Sequence, residues 1–212
     1  EYYHSLEIKD TIWLEFDESV EPKRLVIDFS PISDAWFKQQ MESPLDIDHF
    51  PYVEGIVIYD PTGKLEEWRL KLARYPEEEH EDRLKNKFFL MGGSLGNAII
   101  DNKRELLPDM KVNLYRAIIA GVNLWFTIKK SWTPPLKWWT RHSIEMGMTD
   151  EVYNLFCDAL ENPSIDAVRP LYVKLREMIL EDGYKFVKDP MATFLETIHV
   201  NGRPAQIRHS YL

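Results

Sequence analysis

The sequence has little cysteine, no long apolar run and a shortage of positive charge, and each shortage excludes something. Its 212 residues hold a single cysteine, Cys157. No intrachain disulfide can form, and a reducing, cytoplasmic compartment is expected. No charged n-region, apolar h-region and small-residue cleavage site opens the chain. The longest strongly apolar stretch, Ala117 to Ile128, is interrupted by Asn123. At about 1.5 Å per residue it is too short for a hydrocarbon core of roughly 30 Å, so it reads as a buried helix and no membrane partner is expected. With 26 Lys+Arg against 35 Asp+Glu the formal charge is -9. That balance repels a phosphate backbone and argues against non-specific nucleic-acid binding, so any polyanion site must be local. None of the six histidines is paired with another His or Cys at a metal-ligating spacing, which speaks against structural zinc. No Gly-rich phosphate loop, Ser-His-Asp motif, repeat or low-complexity tract is present.

Hydrophobic residues, by contrast, make up 44% and aromatics 13%, with seven tryptophans. That is enough for one sizeable domain or two small ones sharing an interface. The chain begins Glu1-Tyr2-Tyr3 rather than with methionine, and a longer natural product is expected.

The first part reads as sheet. Thr11-Ile-Trp-Leu-Glu-Phe16 and Arg24-Leu-Val-Ile-Asp-Phe29 are β-branched and aromatic runs separated by a polar segment, which predicts a hairpin. Period-2 geometry groups Ile12, Leu14 and Phe16 with Leu25, Ile27 and Phe29, and leaves Glu15 and Asp28 on the other face of their strands. A short helix is predicted over 35–41, a loop between Pro44 and Pro51, a strand over 53–59, a turn at Asp60-Pro-Thr-Gly63, and a helix over 65–74. Pro76 and the acidic run Glu77 to Asp82 mark the expected domain boundary. Beyond it, helices are predicted over 78–106, 110–130, 136–146, 150–160 and 165–186, with Thr149 and Ser164 as N-caps. The expected organisation is a sheet domain over 1–75, a helical domain over 76–189, and a tail or small hairpin around Asn201-Gly202 over 190–212.

Three constellations could carry chemistry. Asp28 lies between apolar neighbours on a short strand. A carboxylate there either faces solvent or, beside Glu15, holds a divalent cation or moves a proton. The stretch containing Lys129, Lys130, Trp132, Lys137, Trp138, Trp139, Arg141 and His142 is the one local cation cluster. It suits either phosphate and ring recognition, or core tryptophans overlaid by lysine stems. Glu54, before Gly55, either projects toward the same cleft or caps the entry of the expected strand.

Leu25-Val-Ile-Asp-Phe-Ser-Pro-Ile32 followed by Tyr52-Val-Glu-Gly-Ile-Val-Ile-Tyr-Asp-Pro-Thr-Gly63 resembles the latter half of the nucleotidyltransferase domain of the aminoglycoside and lincosamide nucleotidyltransferase-like proteins, of the DNA-polymerase-β-like superfamily. Val122-Asn-Leu-Trp-Phe-Thr-Ile-Lys-Lys-Ser-Trp-Thr-Pro-Pro-Leu-Lys-Trp138 is similar to the part of their helical domain where a Lys-aromatic pair follows a Pro turn. The resemblance implies an α+β fold: the remainder of a polymerase-β-like sheet domain followed by a helical bundle. It also implies transfer of a nucleotide, AMP from Mg-ATP, to a hydroxyl of a small-molecule or protein acceptor. Asp28 matches the third carboxylate, a Mg²⁺ ligand and base toward that hydroxyl, with Glu15 beside it. Lys137 matches a phosphate-facing lysine, Asn123 a polar position on the preceding helix, and Trp138 offers an indole face to the nucleotide. The Gly-Ser and Asp-x-Asp of the family belong upstream of Asp28, where neither is present. Gly92-Gly-Ser94 and Asp46-Ile-Asp48 are rejected as substitutes on chain order and context. The alternative is a catalytically inactive binding or interaction module of the same family. Expected partners are a nucleoside triphosphate and its acceptor, with a homodimer left open.

Overall fold

The computed structural model describes residues 33–188 in full and, before them, the backbone of Trp13–Asp17 and Arg24–Phe29. The chain divides into two compact units, residues 1–43 and 44–212. The expected tail or hairpin over 190–212 lies outside the described residues.

In the first unit β1 (Trp13–Asp17) and β2 (Arg24–Phe29) pair antiparallel, as the two β-branched runs lead one to expect. Trp13 lies across from Phe29, Leu14 from Asp28 and Glu15 from Ile27, with an irregularity between Glu15 and Phe16. Helix α1 (Asp34–Met41) follows, capped by the Ser33 hydroxyl, which accepts from the Trp36 amide at 3.3 Å.

The second unit corrects the expected fold class. In place of a sheet domain followed by a bundle, the described residues hold only the two-stranded ribbon and are otherwise helical. The loop expected between Pro44 and Pro51 is instead largely helical, the first part of α2 (Asp46–Glu54), which has Pro51 inside it. Pro51 is exposed and has no amide to offer the Ile47 carbonyl one turn back, while Asp46, His49 and Phe50 of the same helix are buried. The strand expected over 53–59 does not form. Val53 and Glu54 end α2, and Gly55 to Tyr59 run without a ladder partner. Helix α3 (Lys64–Ala73) begins where Asp60-Pro-Thr-Gly63 turns, with Gly63 at φ 73°. The Asp60 carboxylate accepts from the Glu66 amide at 3.0 Å, and this bond holds its carboxyl below the usual range.

The core is built by α4 (His80–Lys103) and α5 (Leu107–Ile128), the most extensively packed pair of elements, with α7 (Asp150–Glu161) and α8 (Ile165–Glu181) laid across them. Buried residues recur at helical spacing: Leu84, Phe88, Met91, Leu95 and Ala98 on α4, and Leu114, Ala117, Ile118, Gly121, Leu124, Trp125 and Ile128 on α5. At Gly121 α5 lies tight against α4, since a Cβ there would stand 3.1 Å from Met91 Cε. The α4–α5 turn places Glu105 at φ 60°, and the Leu106 amide reaches back to the Asp101 carbonyl at 2.9 Å. Thr149 and Ser164 cap α7 and α8 through their hydroxyls, as expected. Among the described residues no helix is long and apolar enough to cross a membrane.

Candidate functional site

After α5 the chain makes a turn with Lys130 at φ 52°, passes through Trp132-Thr-Pro-Pro135, and enters a one-turn 3₁₀ helix over Leu136–Trp138 that runs into α6 (Trp139–Glu145). Prolines 134 and 135 stiffen this passage, and a buried polar clip fixes its base. Asp46 of α2 is 8% exposed. One of its carboxylate oxygens pairs with Arg83 of α4 and lies 3.9 Å from Lys87 Nζ. The other accepts from the Thr133 hydroxyl at 2.6 Å and from the Thr133 amide at 3.3 Å. The Arg83 guanidinium lies 4.6 Å from the Trp132 ring, and the His49 imidazole stacks on the same indole at 4.0 Å. The Trp132 indole N–H donates to the Ala73 carbonyl and His49 Nδ1 bonds to the Leu72 carbonyl, so α2, α3, α4 and the Pro-Pro passage meet at one point. Burial pushes the Lys87 amine below its ordinary range, with Asp46 opposing the shift. Asp46-Ile-Asp48 is thereby accounted for: its first carboxylate is committed to two cations and a threonine. Gly92-Gly-Ser94 lies inside α4.

Beyond the clip the passage presents an exposed charged face. Lys137 Nζ lies 4.7 Å over the ring of Trp138, itself 43% exposed. One turn later Arg141 donates to Glu54 at the end of α2, at 3.1 Å. Buried His142 lies between Glu54 and Glu145, with Nδ1 at 3.1 and 3.2 Å from their carboxylates. Arg141 Nη2 stands 3.0 Å from His142 Nε2. A guanidinium only donates and a carboxylate only accepts, so the two edges of this imidazole face groups of opposite kind. The three ligand-type atoms lie within 4.8 Å of one another. However, one of the three is an imidazole nitrogen, the Arg141 guanidinium stands against the same glutamate and ring, and a magnesium ion asks for an all-oxygen octahedron. This cluster does not fit Mg²⁺.

Of the residues singled out from the sequence, Glu54, Lys137 and Trp138 come to the end of α2 and the 3₁₀–α6 passage that faces it. Asn123 is half-buried on α5, where its carbonyl accepts from the Thr127 hydroxyl at 2.9 Å, and no hydrogen bond among the described residues joins it to Glu54 or Lys137. Asp28 and Glu15 sit on β2 and β1, and their side chains lie outside the described residues. The ladder offsets the two positions by one residue, which in a pleated pair assigns them to alternate faces instead of the shared one expected. The cation cluster divides. Trp132 and Trp139 are packing residues, the latter against Phe156 at 5.5 Å, and Lys130 pairs with Glu77 at 2.6 Å. Glu145 was missed, although its i,i+3 spacing from His142 is a legible signal. Arg83 and Thr133 were missed because nothing local marks them.

No curated protein and no solved structure matches the chain significantly. Residues 49–139 match the model of a domain of unknown function, DUF4037, a stretch that runs from α2 to the first residue of α6.

Proposed function

We propose that the chain takes part in ATP-dependent nucleotidyl transfer to a hydroxyl acceptor, with the Pro-Pro passage as its nucleotide-facing surface. The observation that carries this reading is the exposed Lys137–Trp138 pair, a cation over an indole at the end of a stiffened, clipped segment. Lysine supplies a point charge for triphosphate oxygens and the ring a face for the base. The family match supports the reading by spanning Glu54, Asn123, Lys137 and Trp138. In the reaction an acceptor oxygen attacks the α-phosphorus, the bond to the bridging oxygen breaks, pyrophosphate leaves, and the hydroxyl proton passes to a base. Asp28 is our candidate for that base. Mg²⁺ enters with the triphosphate as part of the substrate.

Titration of the full chain with Mg-ATP by calorimetry tests the reading. Lys137→Ala is expected to weaken binding, and the difference is expected to shrink with added salt. Equal affinity for both proteins would return Lys137 to an ordinary surface lysine. The second reading, a binding module without turnover, is favoured by the places of Asp46-Ile-Asp48 and Gly92-Gly-Ser94 on helices, away from strand edges. Release of pyrophosphate by the natural gene product separates the two.

A further inference from the structure

Where α4 ends and α5 and α8 begin, the second unit leaves a cavity of about 400 Å³, a volume that suits a small molecule. Its floor is apolar. Ile99 of α4, Met110 of α5 and Ile165 of α8 line it, each half-buried and packed against the core. Its walls are fixed before anything enters. Asn113 of α5 donates to the Asp101 carboxylate of α4 at 2.8 Å, and the Ser164 hydroxyl that starts α8 accepts from the Ala167 amide at 3.2 Å.

The charge at the rim is uncommitted. Cations in this acidic chain find acids readily, and Lys71, Lys85, Lys130 and Lys174 each pair with a glutamate. Lys103 of α4 and Arg169 of α8 line the cavity from two helices, and among the described residues neither side chain makes a hydrogen bond or an ion pair. Asp166 lines it too and stands three residues before Arg169, a spacing at which helical ion pairs form, yet these two do not pair. Two cations against one carboxylate leave a single positive charge over an apolar floor.

We propose that this cavity binds a small organic carboxylate with an apolar body. The Arg169 guanidinium offers a fork to the two carboxylate oxygens and the Lys103 ammonium adds a point charge, while Ile99, Met110 and Ile165 cover the hydrocarbon. Charge sets the class. A monoanion balances the single net charge of the lining, whereas a phosphate ester, close to a dianion at neutral pH, overshoots it and meets Asp166. The site shares no residue with the Lys137–Trp138 passage, and Ile165 and Arg169 lie beyond the matched residues 49–139, so the inference stands apart from the nucleotidyl-transfer reading.

The test titrates the full chain, with isoleucine and methionine methyls labelled for NMR, with hexanoate, hexylamine and hexyl phosphate. Hexanoate is expected to shift the Ile99, Met110 and Ile165 methyls along one saturating curve, in the millimolar range that so small a ligand allows. Hexylamine and hexyl phosphate are expected to bind roughly fivefold or more weaker. Arg169→Ala and Lys103→Ala are each expected to weaken hexanoate binding roughly fivefold or more, an effect that narrows with added salt. Both should leave the melting temperature in place, since neither side chain is bonded among the described residues. Should either variant fold poorly, Asp166→Asn, which removes the opposing charge, is expected to tighten hexanoate binding roughly twofold or more. No shift at the three methyls, equal binding of hexylamine, tighter binding of hexyl phosphate, or indifference of hexanoate to all three substitutions would each overturn the proposal.

Discussion

Replacing Asp46 by alanine removes the acceptor on which the clip converges. Arg83, about 9% exposed, would keep only a 3.5 Å bond to the Pro44 carbonyl, a 3.9 Å approach to exposed Glu79 and the faces of Trp132 and Tyr75. The Thr133 hydroxyl and amide would lose their bonds to α2. Lys87 can respond by losing its proton, since burial already holds its amine low, but a guanidinium cannot, and the cost falls on Arg83. Removing one partner of a buried pair costs about 3–5 kcal/mol, and the remaining ring contacts place this case near the lower end. In a chain of this size that corresponds to roughly 6–20 °C in melting temperature. Urea unfolding followed by tryptophan fluorescence and far-ultraviolet dichroism measures it, with Asp48→Ala, half-buried on the same helix, expected to cost below about 1 kcal/mol. The double variant Asp46→Leu with Arg83→Met should cost less than the sum of its parts, because no buried charge is stranded. An Asp46→Ala protein within about 1 kcal/mol of wild type would refute the view that this carboxylate is structural, and would reopen Asp46-Ile-Asp48 as a ligand pair.

Two further expectations follow from packing and burial. Gly121→Ala would press a methyl against Met91 and is expected to destabilise by about 1–2 kcal/mol, whereas Gly93→Ala, with open space around it on α4, is expected to stabilise by about 0.5–1 kcal/mol; thermal melts that rank the two the other way would contradict the packing described. Burial, with the Lys130 charge adding to it, holds His80 below its ordinary value of 6.5. The unfolded chain therefore takes up that proton first, and stability falls as pH drops below about 7, levelling once the folded imidazole also titrates. His80→Asn should flatten this part of the profile, and an unchanged slope would count against it.

The helices from α3 onward were legible because their signals are local: apolar residues at helical spacing and the hydroxyl caps of Thr149 and Ser164. Helix α2 was not. Pro44 precedes it and Pro51 lies inside it, and proline is a sound sign of a loop because it lacks the amide that a helix interior uses; here the packing of His49 and Phe50 on the inner side of the helix outweighs that loss. The run Val53 to Tyr59 has the composition of a strand, but a strand exists only through a partner, and no local pattern says whether one is in reach. At the candidate site Glu54, Lys137 and Trp138 could be named from motif and type. The partners that fix their surroundings could not, because Arg83 and Thr133 lie 37 and 87 residues from Asp46, beyond any spacing rule.

Those separations also set an order of assembly. The α4–α5 hairpin closes through the short turn at Glu105 and joins neighbours in the chain, so it can form early and at small entropic cost. Asp46 must wait for Thr133. On the ribosome, which releases the amino-terminal side first, α2, α3 and the apolar link between them emerge well before the residues that clip them down. Throughout that interval Ile56, Ile58 and the faces of α2 and α3 that later pack inward stand open together, and this is the stage at which a chaperone would find most to hold.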